Sequence, residues 1–128
     1  MTNLKITERQ NGLITILDLD GKIKLGEGSA ELHKELGRLV EKGERKILLN
    51  LANVSHIDSS GLGELFTGYN TLQKTGGELK LFNLSDKVHG LMTVTRLLTV
   101  FDIYENEAEA VDSFEGKSSK PAYVSSLL

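Results

Sequence analysis

The chain contains no cysteine, no tryptophan and a single proline among its 128 residues. Without cysteine, disulfide bonds and thiolate metal sites are excluded, and the composition fits the reducing cytoplasm that we expect as its location. No apolar run approaches the roughly 20 residues that a membrane-spanning helix needs. The first residues, Met1-Thr-Asn-Leu-Lys-Ile, contain no apolar signal region. The sequence therefore predicts neither a membrane span nor a secreted, disulfide-stapled fold.

Strong charge of either sign is also missing, because the formal net charge is only −3. Such a mild value gives no electrostatic footprint for nucleic acid or for an anionic membrane, so we predict neither as a partner. The three histidines, His33, His56 and His89, have no helical spacing suited to a metal. We predict no metal site and no cofactor. The length of the chain suits a single domain with one hydrophobic core.

The N-terminal pattern indicates an antiparallel hairpin. Two strand-like runs, Leu4–Gln10 and Leu13–Leu19, flank Asn11-Gly12. Asn-Gly between two such runs favours a type I′ turn, which needs positive φ at both central residues. In the second run, Leu13, Leu17 and Leu19 share one face while two isoleucines share the other. Apolar groups on both faces predict an interior strand.

Strands and helices then alternate to the end of the domain. We predict a loop at 21–28, strands at 46–51, 78–84 and 100–104, and four helices that begin near Ser29, Leu62, Ser85 and Asn106. Alternation of this kind implies βαβ crossovers and parallel strands. The expected fold is therefore α/β, a mixed sheet of about five strands with an N-terminal antiparallel hairpin and parallel βαβ units, packed against four helices. Residues 1–114 form the predicted domain, and 115–128 a flexible C-terminal tail.

The most informative stretch is Asp58-Ser59-Ser60-Gly61-Leu62-Gly63. It lies where a buried strand gives way to an amphipathic helix, and open α/β sheets build sites beyond the carboxyl ends of their strands. Serine and aspartate are also favoured N-cap residues, so helix capping is the simplest role for these side chains. Capping and modification are compatible, because a residue at a helix start is reachable from solvent.

Two catalytic or ligand-binding interpretations of this stretch are weaker. His56, Asp58 and Ser59 contain the residue types of a hydrolase triad, but members of a triad converge from separate elements. Gly61 and Gly63 at a helix start present backbone N–H groups to an anion, but no Walker pattern follows them. A small serine hydrolase using Ser59 or Ser60 remains an alternative without a plausible base.

The strand Ile47–Leu51 followed by Asp58-Ser59-Ser60-Gly61-Leu62-Gly63 resembles the signature of STAS domains, and more narrowly that of the bacterial anti-sigma factor antagonists (anti-anti-sigma factors). The Gly76-Gly77-Glu78-Leu79 string before the next strand is similar to the family as well. The resemblance covers roughly residues 4–114 in element order. It implies a mixed sheet packed against helices, and a non-catalytic protein that regulates transcription by binding another protein.

The resemblance also implies roles for individual residues. Ser59 would be phosphorylated by a partner that is both an anti-sigma factor and a serine kinase, and a metal-dependent serine phosphatase would restore it. The unphosphorylated form would bind the kinase and free the sigma factor. Asp58 would support the phosphorylation loop. The residues predicted to contact the partner are Asp58, Ser60, Gly61, Leu62 and Gly63.

The chain departs from the family in the loop before the first helix. Lys22 and Lys24 occupy a region that is commonly acidic in the family. An unphosphorylated STAS scaffold, or a subunit of a transport system, is therefore the first alternative to a phosphorylation switch. The sequence leaves open the sigma factor, the kinase and the oligomeric state.

Overall fold

The computed structural model describes residues 4–116 and 120–123. Within them the chain forms five strands and four helices, which in chain order are β1 (Leu4–Asn11), β2 (Ile14–Ile23), α1 (Glu27–Glu41), β3 (Lys46–Ile57), α2 (Ser59–Lys74), β4 (Glu78–Phe82), α3 (Asp86–Val94), β5 (Asp102–Tyr104) and α4 (Glu107–Phe114). None of these helices is both long and apolar enough to cross a membrane.

The five strands form one sheet in the order β1-β2-β3-β4-β5. The pair β1 and β2 is antiparallel, and the three remaining pairs are parallel. Each parallel pair is joined through a helix, as alternating strands and helices require. The predicted α/β class and the mixed sheet with an N-terminal hairpin are confirmed.

Apolar side chains cover both faces of the sheet. The larger core joins β2 residues Leu17 and Leu19 to the buried faces of α1, α2 and α3. The smaller core joins Ile14 and Ile16 to α4 through Phe114. The prediction that β2 is an interior strand with two apolar faces is therefore confirmed. The carboxyl ends of β2 and β3 lie at the edge of the sheet where α1 and α2 begin.

The hairpin turn lies one residue later than the sequence pattern indicated. Asn11 pairs with Ile14, so the two turn residues are Gly12 and Leu13. Gly12 has φ +61° while Leu13 does not have a positive φ, which fits a type II′ turn with glycine first. The predicted type I′ turn at Asn11-Gly12 is wrong. Leu13 is consequently 80% exposed and does not share the buried face of Leu17.

The connection between β2 and α1 is shorter than the predicted loop. The strand continues to Ile23 and the helix begins at Glu27, with Gly26 as its N-cap residue and no side-chain cap. The prediction that Ser29 caps this helix is wrong, because Ser29 lies inside it and is buried. A Cβ on Gly28 would lie 2.0 Å from the carbonyl oxygen of Lys22, so only glycine lets the helix start this close to the strand.

Several other boundaries also shift. Strand β3 runs to Ile57, six residues past the predicted end at Leu51, and its pairing with β2 contains register irregularities. Strand β5 begins at Asp102, not Val100. Ser85 and Asn106 cap α3 and α4 as predicted, accepting from the N–H groups of Val88 and Glu109. Helix α4 buries Ala110 and Phe114, whereas Ala108 is exposed.

Part of the predicted tail contacts the domain. The backbone N–H of Ala122 donates to the carbonyl oxygen of Ile103 at 2.7 Å, which fixes this segment beside β5. The ring of Tyr123 lies 5.6 Å from the ring of His89, centroid to centroid. The other predicted tail positions, 117–119 and 124–128, lie outside the described residues.

Candidate functional site

The candidate site lies where β2 and β3 end and α1 and α2 begin. The backbone N–H of Asp58 donates to the carbonyl oxygen of Ile23 at 3.4 Å, so the two strands remain paired up to the start of α2. Gly61 packs directly on the same carbonyl oxygen, because a Cβ at position 61 would lie only 2.0 Å away. The first turn of α2 is therefore held against the end of β2 by backbone contacts that admit no side chain.

Asp58 is the N-cap residue of α2 and its carboxylate connects two segments. One oxygen accepts from the N–H of Gly61 at 3.0 Å, inside the first turn of the helix. The other accepts from the N–H of Leu25 at 2.9 Å, in the loop before α1. These two backbone donors, with Leu25 contributing most, lower the pKa of the Asp58 carboxyl below its ordinary value. The negative charge on Asp58 thus organises the loop and the helix start together, and the expected supporting role of Asp58 has a physical basis.

The two serines of the motif have different environments. Ser60 is half-buried, and its hydroxyl oxygen lies 2.8 Å from that of Ser29 on α1. This hydrogen bond joins the first turns of the two helices, so the Ser60 hydroxyl is occupied in holding the fold. A kinase or other modifying enzyme would have to break that contact to reach it.

Ser59, in contrast, is the first residue of α2 and is exposed. Because Asp58 performs the capping, the hydroxyl of Ser59 is not needed for it, and among the residues that the structure describes we find no side-chain hydrogen bond from Ser59. A phosphate on this oxygen would sit at the positive end of the helix dipole. The geometry therefore presents one reachable hydroxyl at a position where added negative charge is tolerated.

The predicted partner contacts divide into buried and exposed residues. Gly61 and Leu62 are buried, and Leu62 belongs to the main core. Gly63 is exposed, and nothing lies within 4 Å of a Cβ built on it. The backbone at 61 and 62 shapes the site, whereas Gly63 offers open surface four residues beyond Ser59 on the same face of α2.

Sequence reasoning missed two apolar residues beside Ser59. Phe66 follows Ser59 by seven residues, which places it on the same helical face, and it is 39% exposed. Leu25 is 81% exposed, although its own backbone is bonded to Asp58. A signal for Leu25 was present, since it continues the alternation of Leu17, Leu19 and Ile23 beyond the predicted end of the strand.

The residues of the alternative hydrolase interpretation do not converge on Ser59. His56 Nδ1 lies 3.1 Å from the hydroxyl oxygen of Ser55, on the same strand. The carboxylate of Asp58 is engaged by two backbone N–H groups rather than by a histidine. In the part of the chain that the structure describes, neither His56 nor Asp58 is hydrogen-bonded to Ser59, so these residues do not form a triad.

A groove between α1 and α2 lies beside the site without including Ser59. It has a volume of about 250 Å³ and is lined mainly by apolar surface, with Leu36, Val40, Thr67 and Thr71 among its walls. His33 and Glu64 close one end, with Nδ1 and a carboxylate oxygen 2.8 Å apart. Ser59 is not among the residues that line this groove, so we place the candidate site at the start of α2.

A family model described as STAS domain matches residues 5–110 of the chain. That span contains β1 except for Leu4, the whole of strands β2 to β5, the loop before α1, and the Asp58–Gly63 segment. The match therefore covers both the fold and the candidate site.

Similar proteins carry related names. The chain is 27% identical to the anti-sigma F factor antagonist of Paenibacillus polymyxa over 88% of its own length and 97% of that protein. It is 32% identical to the anti-sigma-B factor antagonist of Bacillus subtilis, over 79% of its length and 91% of that protein. The solved structure of the anti-sigma factor antagonist SpoIIAA in its unphosphorylated form superimposes with a TM-score of 0.74 at 20% identity, covering 88% of this chain and 97% of SpoIIAA.

Proposed function

This chain belongs to the STAS domain family, and we propose that it is an anti-sigma factor antagonist switched by phosphorylation of Ser59. In the unphosphorylated form it binds an anti-sigma factor that is also a serine kinase, and so releases a sigma factor. Phosphorylation by that kinase ends binding, and a metal-dependent serine phosphatase restores it. The chain acts through docking rather than catalysis.

The observation that carries the proposal is the contrast between the two adjacent serines. Ser60 is tied to Ser29 across the helix starts, whereas Ser59 is exposed and lies outside the capping interaction. A kinase needs a hydroxyl that reaches its bound ATP, and Ser59 meets that need without any rearrangement of the fold. The names of the relatives in Paenibacillus polymyxa and Bacillus subtilis support the same class of partner.

The electrostatics of the site explain how one modification can switch binding. A phosphate adds about −1.5 to −2 charges at neutral pH. Within the free protein this charge lies at the start of α2, where the helix dipole favours it. On docking, a partner carboxylate about 5 Å away in an effective dielectric near 20 would cost roughly 3 kcal/mol for each unit of charge. That penalty weakens binding by about a hundredfold or more.

The test is phosphate transfer from the purified anti-sigma factor kinase of the same organism, with ATP, to wild type, Ser59→Ala and Ser60→Ala. We expect intact-mass spectrometry to show one added phosphate on wild type and Ser60→Ala and none on Ser59→Ala. Equal incorporation into wild type and Ser59→Ala would reject the site. Tight binding with no transfer to any of the three proteins would favour the unphosphorylated scaffold.

A further inference from the structure

The exposed side chain of Leu25 has no role in the fold. It is 81% exposed, more than any other large apolar residue in the part of the chain that the structure describes. Its backbone, however, is held in place. The N–H of Leu25 donates to Asp58, and the carbonyl oxygen of Lys24 accepts from the N–H of Ser29. The next residue, Gly26, is the N-cap residue of α1. An exposed leucine side chain buries little apolar surface within the fold, so it adds little hydrophobic stabilisation there.

This fixed leucine stands beside the phosphorylation site. The carboxylate that receives the Leu25 N–H belongs to Asp58, which immediately precedes Ser59. A protein that covers Ser59 must therefore come close to Leu25. Because the loop backbone is already ordered, burying this side chain costs little conformational entropy, which is the condition for an efficient anchor.

The charged residues next to Leu25 indicate the chemistry of the partner surface that would receive this side chain. Lys24 is exposed and lies close enough to Asp58 to contribute to lowering its pKa. It directly precedes Leu25, whose N–H donates to Asp58, and Lys22 adds a second exposed cation at the end of β2. Carboxylates on the partner that pair with Lys24 would also face a phosphate on Ser59. A border of such carboxylates around the partner's binding site would therefore favour docking of the unphosphorylated form and oppose docking of the phosphorylated form.

We propose that Leu25 is a docking anchor for the anti-sigma factor, inserted into an apolar socket whose border near Ser59 is acidic and pairs with Lys24. This inference rests on the proposed function and deepens it. It commits to the same partner that docks over Ser59, because the anchor and the hydroxyl share one hydrogen-bonded loop.

The chain supplies a matched control for the anchor. Leu13 is also a leucine beside a glycine in a turn, and it is 80% exposed. It lies at the opposite end of β2, whose ten residues separate the two leucines by about 30 Å. Substituting alanine at either position removes the same apolar surface and leaves the backbone bonds in place, so both variants are expected to fold like wild type.

The experiment measures the Kd of the purified anti-sigma factor for each variant without ATP, so that Ser59 stays unmodified. We expect Leu25→Ala to bind about 10- to 100-fold more weakly than wild type, and Leu13→Ala to bind within about twofold of it. Equal affinity of Leu25→Ala and Leu13→Ala, with tight wild-type binding, would overturn the anchor and leave the proposed function standing. Absence of wild-type binding would overturn the proposed function and the anchor together.

The acidic border has its own pair of variants. Lys24→Gln removes the cation beside Ser59, whereas Glu27→Gln removes an exposed anion two residues beyond Leu25. We expect Lys24→Gln to weaken binding by about fivefold at low salt and to flatten its salt dependence, while Glu27→Gln does neither. An unchanged salt dependence in Lys24→Gln would show that the socket has no acidic border.

Discussion

The carboxylate of Asp58 accepts a hydrogen bond from the backbone N–H of Leu25 at 2.9 Å, joining segments that are 33 residues apart in the sequence. A second bond, from Gly61, uses the other carboxylate oxygen. The residue that caps α2 therefore also fixes the loop that enters α1. This single carboxylate holds the accessible serine and the exposed leucine in one rigid frame.

The first prediction concerns pH and follows from that carboxylate. Because the folded-state pKa of Asp58 is lowered, its contribution to stability is complete above the unfolded value of about 4 and is lost as the pH falls through the folded-state pKa. Asp58→Asn keeps a capping oxygen and does not titrate. We expect the difference in unfolding free energy between wild type and Asp58→Asn to shrink steadily as the pH falls below about 4.

The measurement is urea unfolding of both proteins at a series of pH values from neutral downward. Taking the difference between them removes the contribution of other carboxyls, such as Asp18, whose pKa is lowered by Arg9. A difference that stays constant across the series would show that the two backbone bonds to Asp58 do not favour its charged form.

The second prediction separates the two glycines of the motif. Gly61→Ala places a Cβ 2.0 Å from the carbonyl oxygen of Ile23, and backbone on both sides must move to relieve that contact. We expect a loss of about 3 kcal/mol in the free energy of unfolding. Gly63→Ala meets nothing within 4 Å and lies in a helix, so it should stabilise by about 0.5–1 kcal/mol. Equal stabilities of the two variants in urea would contradict the packing described here.

The third prediction tests the contact between the helix starts. The hydroxyl oxygens of Ser29 and Ser60 lie 2.8 Å apart, and Ser29 is only 6% exposed. We expect each alanine variant to lose about 1 kcal/mol of stability, and the double variant to lose less than the sum because both changes remove the same bond. Chemical unfolding of the four proteins measures the coupling. Strict additivity would mean that the two hydroxyls do not interact.

The sequence predicted the order of elements because apolar periodicity, glycine at turns and capping residues at helix starts are local signals. It failed where one segment determines another across the fold. Ser29 looked like an N-cap, yet the tight contact between Gly28 and Lys22 starts α1 earlier and buries this serine. The hydroxyls of Ser59 and Ser60 are equivalent in sequence, and only the position of α1 distinguishes them.

The full length of β3 could not be predicted from the local sequence either. Residues 52–57 have little alternation of apolar and polar residues, and they extend β3 only because the end of β2 offers backbone partners up to Ile57. Lys80 is another example, since lysine is rarely buried. Its position on β4 gave no indication that α4 would cover it.

The fourth prediction concerns this buried lysine, which is only 5% exposed. Its Nζ donates to the hydroxyl of Ser113 at 2.9 Å and lies 4.7 Å from the centre of the Phe114 ring. Lys80→Ala removes the aliphatic stem, this hydrogen bond, the cation–π contact and the 3.4 Å ion pair with Glu78 together, and should cost about 2–3 kcal/mol of stability. Lys80→Met restores most of the stem and should recover about half of that loss. If Lys80→Ala and Lys80→Met lose equal stability in thermal or urea unfolding, the whole contribution belongs to the ammonium group and none to the aliphatic stem.

The last prediction separates folding from docking at Ser59. In Ser59→Asp the new carboxylate gains from the dipole of α2 and is opposed by the adjacent charge of Asp58, so the free energy of unfolding should change by less than about 0.5 kcal/mol. Binding to the anti-sigma factor should nevertheless fall by about tenfold or more, since the added charge acts only against the docked partner. Ser59→Asn, which has the same shape without the charge, should bind more tightly than Ser59→Asp. If the asparagine and aspartate variants bind equally weakly, bulk rather than charge controls docking, and the electrostatic account of the switch is wrong.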